Sequence, residues 1–525
     1  MMETWKLVLV KLALGYSYYL VLTHPLFLLF VYSSESFRNK SFGRDIRRFK
    51  RKITTRAIER GRKGGAKTRF YVGTSLQTGK PVYLTDAMRQ MHMLVTGSTG
   101  VGKTESVLLP ILRHDIEAGR GLVLIDGKGD LELLARLRLY VRMAGRERDF
   151  MFFSLSHPEI SRTYNPLLRG NASEIKDKLI GSTEWSEEFY KKKAEEALLT
   201  LLRPMVEMKR KITFRDLYLY LTNLDSLKAF RRTLSPGRMC QDLETMENLF
   251  KDHSRFLSGL IADLALITKS EFGDLVDVET SEIDLLRAYR TNQICYFSLN
   301  TQGFEETAKR FGRMVLQDIK TVSNEIQTQT SSSKRHFFGV YVDEFASFAF
   351  SSFLESLNKG RGAGLAFMML HQSLGDLQVK RTAFQQQVLE NTNIKVIMRQ
   401  DDPFSIERFA KIGGSKKTLV STYQTEQRML GTGMTGMGSI REGQAFRIDP
   451  DLVRALGRGE AIVVSKMPYF KVDYVKLDYE PSSATEAMMQ IIQYEKEKAR
   501  HGKLSGRRYS TLKESRDKFQ IEKHM

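Results

Sequence analysis

Gly97-Ser98-Thr99-Gly100-Val101-Gly102-Lys103-Thr104 places three glycines, a lysine and a hydroxyl at the spacing G-x-x-x-x-G-K-[ST]. Glycines let consecutive backbone N–H groups turn toward one point, and a helix N-terminus behind them adds partial positive charge. The pattern suits a polyphosphate. Lys103 is placed to reach the β- and γ-phosphates of ATP, and the Thr104 hydroxyl to ligate Mg2+. A second set completes the chemistry. His336-Phe337-Phe338-Gly339-Val340-Tyr341-Val342-Asp343-Glu344 is an apolar run that ends in two carboxylates. Asp343 would hold a water of the Mg2+ shell, and Glu344 would orient or deprotonate an attacking water.

Three further groups belong beside these. Leu370-His371-Gln372-Ser373 closes the next apolar run in chain order. In P-loop motors of the RecA type a polar residue there contacts the γ-phosphate or the water, and Gln372 is the better of the two choices; His371 reads as structural. Lys359-Gly360-Arg361-Gly362 is a flexible basic stretch, so Arg361 is a candidate arginine finger acting on a neighbouring subunit's site. Asp126 and Lys128 fall at the edge next to the phosphate loop, where Asp126 either shapes the Mg2+ site or caps a turn.

These residues need elements to carry them. Met91 to Thr96 reads as a buried strand before the loop, and Glu105 to Leu109 as the start of a helix after it. Gly121 to Asp126, Asp149 to Leu155, Gln293 to Leu299, Gly364 to Gln372, Asn393 to Met398 and Glu460 to Val464 are further apolar strands. Their alternation with helical segments predicts a parallel, doubly wound sheet, with a hairpin at Arg69 to Leu84 in front of it. From about Asn165 to Thr280 strand-like runs nearly vanish, and Glu, Lys and Leu recur at helical spacing. This stretch is expected to be an all-α subdomain inserted into the α/β domain. Leu430 to Gly438, with four glycines, is expected to be a loop without regular structure.

Size and charge set the setting. A chain of 525 residues, 42% hydrophobic, buries a large core and holds more than one domain. The net charge of +21 points to phosphate-rich partners, nucleic acid or anionic lipid. Two cysteines in unrelated surroundings exclude a disulfide framework or a zinc site and suit a reducing compartment. Leu12 to Tyr32 carries no charged residue apart from His24, neutral at pH 7. As a helix it would be about 31 Å long, enough to cross a bilayer. Arg38 to Arg69 holds fourteen Lys or Arg and two acids, a net +12, which places this stretch and the phosphate loop on the cytoplasmic side. The expected layout is an anchor at 1–35, a basic juxtamembrane linker at 36–69, and a nucleotide-binding domain in two parts, 70–160 and 286–480. The all-α subdomain occupies 161–285 between those parts, and a basic tail runs over 481–525.

The chain resembles the coupling ATPases of type IV secretion and conjugation. The resemblance rests on Thr96-Gly97-Ser98-Thr99-Gly100, on Ile125-Asp126-Gly127-Lys128-Gly129-Asp130 and on Tyr164-Asn165-Pro166-Leu167. It continues in Val342-Asp343-Glu344, His371-Gln372-Ser373-Leu374 and Asn391-Thr392-Asn393-Ile394-Lys395, and covers roughly residues 70 to 480. It is stronger to the coupling protein of Dot/Icm-type systems than to chromosome translocases, chiefly through the Asp-Gly-Lys-Gly-Asp run. It implies an α/β fold of the RecA-like P-loop class with an inserted all-α subdomain, assembled as a hexamer at the inner membrane. Such a ring hands DNA–relaxase complexes or protein effectors to a secretion channel. Two departures stand out: the family commonly has two transmembrane helices where one span is visible here, and the C-terminal extension is short. Two other readings use the same residues: a receptor for secreted proteins with structural nucleotide, and a chromosome or phage DNA translocase.

Overall fold

The computed structural model describes residues 67–504 apart from positions 186, 351, 379–381, 429–430 and 480–484. The expected membrane span at 12–32, nearly all of the basic linker and the tail beyond 504 lie outside the described residues. Among the described residues no helix is long and apolar enough to cross a membrane.

The strands are β1 (Arg69–Ser75), β2 (Pro81–Thr85), β3 (Met93–Thr96), β4 (Gly121–Asp126), β5 (Phe150–Ser154), β6 (Ile294–Ser298), β7 (Phe338–Val342), β8 (Leu365–His371), β9 (Ile394–Ile397), β10 (Ser415–Arg428), β11 (Gly431–Phe446), β12 (Glu460–Ser465) and β13 (Lys471–Leu477). All but β10 and β11 form one sheet in the order β2-β1-β13-β12-β9-β3-β8-β7-β4-β6-β5. The run from β9 to β5 is parallel. The strands β12, β13, β1 and β2 extend it with antiparallel pairings, so the expected wholly parallel sheet is corrected to a mixed one. An apolar run fixes burial but not strand direction.

The central strands are apolar along most of their length because both faces are covered. Every residue of β4 and β8 is buried. Side chains alternate between faces. Leu94, Val123, Ile125 and Met369 join the core under the helix Glu305–Gln329 and the inserted helices. Met93, Val95, Leu122, Leu124 and Met368 join the core under the helices Leu109–Glu117 and Leu131–Met143.

Between β5 and β6 the chain is helical, with Glu188–Glu207 as its longest element. Asn165 pins the base of this insertion. Its side-chain amide donates to the carbonyls of Ile212 (2.9 Å) and Val278 (2.8 Å), and its oxygen accepts from the Leu167 N–H at 2.9 Å. The Tyr164 hydroxyl donates to Asp318 at 2.8 Å, on the helix Glu305–Gln329, and buried Lys178 reaches the same carboxylate at 2.6 Å. The Tyr-Asn-Pro-Leu motif therefore fastens the insertion to the helix Glu305–Gln329.

One expectation changes. The glycine-rich stretch is regular: Gly431–Phe446 pairs with Ser415–Arg428 as an antiparallel two-stranded ribbon, with a register shift between Tyr423 and Thr425. Backbone pairing over fourteen residues, about 45 Å of strand, replaces the side-chain signal that glycine lacks. The first part of the basic tail is the helix Thr485–Leu504, which packs on the core. Met488 and Ile492 are buried against the helix Leu131–Met143, and Arg138 pairs with Glu495.

A buried charge network ties the helix Leu109–Glu117 to β7. Arg89 donates to both oxygens of Asp115 (2.8 and 2.7 Å), Arg120 donates to Asp115 at 2.8 Å, and the Tyr341 hydroxyl also donates to that carboxylate. Burial alone would raise the Asp115 pKa, but the Arg89 charge and hydrogen bonds hold it down to about 2. A depressed carboxyl contributes stability that is fully present above its unfolded value, near 4, and lost as pH falls toward 2. Asp115→Asn is expected to cost about 3–5 kcal/mol in denaturant unfolding at pH 7. The deficit relative to the native chain should shrink as pH falls from 4 to 2.

Candidate functional site

The phosphate loop leaves β3 at Thr96 and enters a helix at Thr104. The first turn, Thr104–Leu108, is wound as a π-helix before the α-helix Leu109–Glu117 takes over. Gly100 (φ +78°) and Gly102 (φ +90°) adopt left-handed backbone that disfavours any side chain. The loop is held from outside. The Gly97 N–H donates to the Gln372 carbonyl (3.2 Å), the Ser98 N–H to the Arg399 carbonyl (2.9 Å), and the Gly459 N–H to the Val101 carbonyl (3.3 Å). Among the described residues, the amides of Thr99, Gly100, Val101 and Gly102 have no acceptor. Unpartnered donors in a fixed loop are what an anion requires, so the residues present fit a phosphate.

Lys103 is buried, with Nζ on the carbonyls of Gly97 (2.5 Å) and Ser98 (3.2 Å). Burial, then the charge of Lys128, lowers its pKa, while Asp343, Glu344 and Asp376 act in the opposite sense. The two carboxylates at the end of β7 are thus near enough to act on the loop lysine. Thr104, half-buried, sits next to it at the head of the helix.

Asp343 is buried and its N–H donates to the Ile125 carbonyl at 2.9 Å, extending the β7–β4 pairing by one residue. One carboxylate oxygen accepts the Glu344 N–H at 3.0 Å, and the other accepts Lys128 Nζ at 3.1 Å. The same ammonium lies 3.6 Å from Glu344 Oε1. Burial opposes charge on Lys128, but Asp343 and then Glu344 outweigh it and raise its pKa. Glu344 sits at φ +54°, an unfavourable backbone for a residue with a Cβ, costing about 1–3 kcal/mol. That turn aims its side chain toward Lys128 and brings its Cβ to within 3.1 Å of where a Cβ on Gly127 would stand. On the other side of Lys128, a Cβ on Gly129 (φ +72°) would meet Asn300 at 2.7 Å. The Asp-Gly-Lys-Gly-Asp run is therefore a steric requirement with one cation at its centre. Lys128's reach to both carboxylates was not foreseen, because it depends on the left-handed turn at Glu344.

Asp126 caps this turn. Its oxygens accept the N–H groups of Lys128 (2.9 Å) and Gly129 (3.0 Å) and the Tyr296 hydroxyl (3.0 Å). Burial, together with the Asp343 charge, pushes its pKa up to about 6.

Gln372 stands between the two halves. β8 lies between β3 and β7, with His371 level with Thr96 and Met369 level with Val342. The Thr99 hydroxyl donates to Gln372 Oε1 at 3.2 Å. His371 is buried and its Nδ1 contacts the Ser373 carbonyl at 2.8 Å; burial lowers its pKa to about 4, which leaves it neutral at pH 7. Arg361 is exposed and precedes β8, so it lies at the opposite edge of the sheet, seven strand residues and about 23 Å from Gln372. The fold assembles Lys103, Thr104, Asp343, Glu344 and Gln372 at one edge and leaves Arg361 at the other.

Residues 338–456 match the family model described as the TraM recognition site of TraD and TraG. The type 4 coupling protein DotL of Legionella pneumophila is 22% identical over 459 residues, which are 75% of this chain and 58% of DotL. The chain thus spans a little over half the length of this curated relative. Among solved structures, the unbound bacterial conjugative coupling protein TrwBdeltaN70 superposes with a TM-score of 0.55 at 15% identity, over 83% of this chain and 95% of that one. TrwB in complex with ADP and Mg2+ gives 0.53 at 15% identity, over the same shares. The fold is that of these mixed α/β P-loop proteins. Motifs, curated relative and fold agree, and the resemblance of this chain to the type IV coupling proteins is borne out.

Proposed function

We propose that the chain is a Mg2+-dependent ATPase that recruits DNA–relaxase or protein substrates to a type IV secretion or conjugation channel and drives their transfer. The observation that carries this reading is the meeting of Lys103, Gln372 and the Asp343–Glu344 pair at the ends of adjacent strands. TrwB, whose fold the chain shares, has been solved with ADP and Mg2+.

In this reading Gly97 to Thr104 hold the phosphates through backbone N–H groups, and Lys103 stabilises charge as the β–γ bond breaks. Glu344 aligns and deprotonates the attacking water. Gln372, hydrogen-bonded to the loop through Thr99, is placed to report on the γ-phosphate. Thr104 and Asp343 would hold a magnesium ion, which neutralises phosphate charge when bound. Lys128, exposed to solvent, lies on both carboxylates, so it competes with a divalent cation for Asp343 and holds Glu344 by its charge.

The nucleotide-binding domain comprises 70–160 and 286–480, with the all-α subdomain at 161–285 between them. The chain works as a homo-hexamer at the bacterial inner membrane, anchored by residues 12–32 with its bulk cytoplasmic. Only a neighbouring copy can bring Arg361 to a phosphate loop, since it sits at the far sheet edge of its own chain. The net charge of +21 supports backbone contacts to DNA without sequence readout, a mode that weakens steeply with salt.

Three variants of the full chain test the site. Lys103→Ala is expected to abolish nucleotide binding, measured with a fluorescent ATP analogue. Glu344→Gln should bind nucleotide within a few-fold of the native chain while phosphate release falls about 10²-fold or more. Retained turnover in Glu344→Gln would remove Glu344 from the chemistry. Lys128→Met should lower, by several-fold, the Mg2+ concentration that half-saturates nucleotide binding, with affinity in EDTA little changed. An unaltered Mg2+ requirement would refute the competition.

A further inference from the structure

β12 runs antiparallel to its neighbour β9. The two pair with Ile462 level with Ile397, and β9 is parallel to β3 with Ile397 level with Thr96. Strands that end at the phosphate-loop edge therefore lie beside a strand that begins there. The residues leading into β12, Gly457-Arg458-Gly459, arrive next to the loop from the flank opposite β8 and β7.

The contact is close and fixed. The Gly459 N–H donates to the Val101 carbonyl at 3.3 Å, and Gly459 takes a left-handed φ of +69°. A Cβ on Gly459 would stand 3.4 Å from Ser106 Oγ, in the first turn of the phosphate-loop helix. The Gly457 N–H donates to Glu460 Oε2 at 2.8 Å and closes the turn. Lys476 Nζ donates to the Arg458 carbonyl at 3.0 Å and adds a second cation. The Arg458 side chain runs over Gly102: its Cγ and Nε are 3.6 and 3.7 Å from where a Cβ on that glycine would be. Arg458 is exposed, and among the described residues its guanidinium has no hydrogen bond or ion pair. A fixed backbone thus delivers an unpaired planar cation to the glycine that precedes Lys103.

We propose that Arg458 is a nucleotide-binding residue that contacts the part shared by di- and triphosphates, the nucleoside and its α-phosphate. This rests on the nucleotide-binding reading above. Gln372, Asp343 and Glu344 reach the loop from the β8 and β7 side, where the γ-phosphate and the water belong. Arg458 reaches it from the β9 and β12 side, so the opposite end of the ligand falls to it. A guanidinium suits that end because it can fork onto phosphate oxygens or stack on a base.

The test uses the full chain and two probes, fluorescent ADP and a fluorescent non-hydrolysable ATP analogue. Arg458→Ala is expected to weaken both about tenfold or more and by the same factor. Its melting temperature without nucleotide should match the native chain, because the side chain is exposed, while the rise on adding ADP shrinks. Gln372→Ala, by contrast, should weaken the triphosphate selectively. Unchanged affinity of Arg458→Ala for both probes, with the native chain binding them, would overturn this inference and leave the nucleotide reading intact. A loss confined to the triphosphate would overturn it too, by placing Arg458 at the γ-phosphate end. A native chain that binds neither probe would end the nucleotide reading and this inference with it.

Discussion

β8 separates β3 from β7, and its hydrogen-bond register sets how far the phosphate loop stands from the two carboxylates. His371 is level with Thr96 on one side, and Met369 with Val342 on the other. These strands are buried on both faces, so a slip by one residue would turn every apolar side chain to the wrong layer. The Gln372 carbonyl accepts the Gly97 N–H at 3.2 Å and carries the register into the loop. Beneath the loop, the Arg89–Asp115–Tyr341 network clamps the helix Leu109–Glu117 to β7.

Charge balance is the second constraint. Lys103 is buried and Lys128 remains exposed, and the charge of each is answered by Asp343 and Glu344. Lys103 and Asp343, the two buried members, would carry a large desolvation cost if left unpaired. The paired glycines around Lys128 and the left-handed backbone at Glu344 are the local strain that allows this packing.

Much of this was legible in the residues. The loop motif, the carboxylates ending an apolar run, and Gln372 closing the next run each combine a chemical type with a place in the chain. The helical stretch between β5 and β6 was equally plain, because strand-like runs stop there. What escaped reading depends on through-space geometry. Strand direction in β12, β13, β1 and β2 leaves no mark on an apolar pattern. The ribbon Gly431–Phe446 is held by backbone pairing, which glycine neither advertises nor prevents. Lys128 reaches the carboxylates and Arg458 reaches the phosphate loop only beside turns with positive φ, at Glu344 for the one and at Gly459 for the other. Arg361, read as a candidate finger for a neighbouring subunit's site, is carried by the length of β8 to the edge far from its own phosphate loop.

The most direct measurement is an experimental structure of the full chain with a non-hydrolysable ATP analogue and Mg2+. The account predicts phosphate oxygens on the amides of residues 99–102, and Lys103 Nζ moved from the Gly97 carbonyl onto the β- and γ-phosphates. It also predicts the γ-phosphate between Gln372 and Glu344. A nucleotide seated elsewhere, or Lys103 still on its carbonyl with the phosphates out of reach of Asp343 and Glu344, would contradict it.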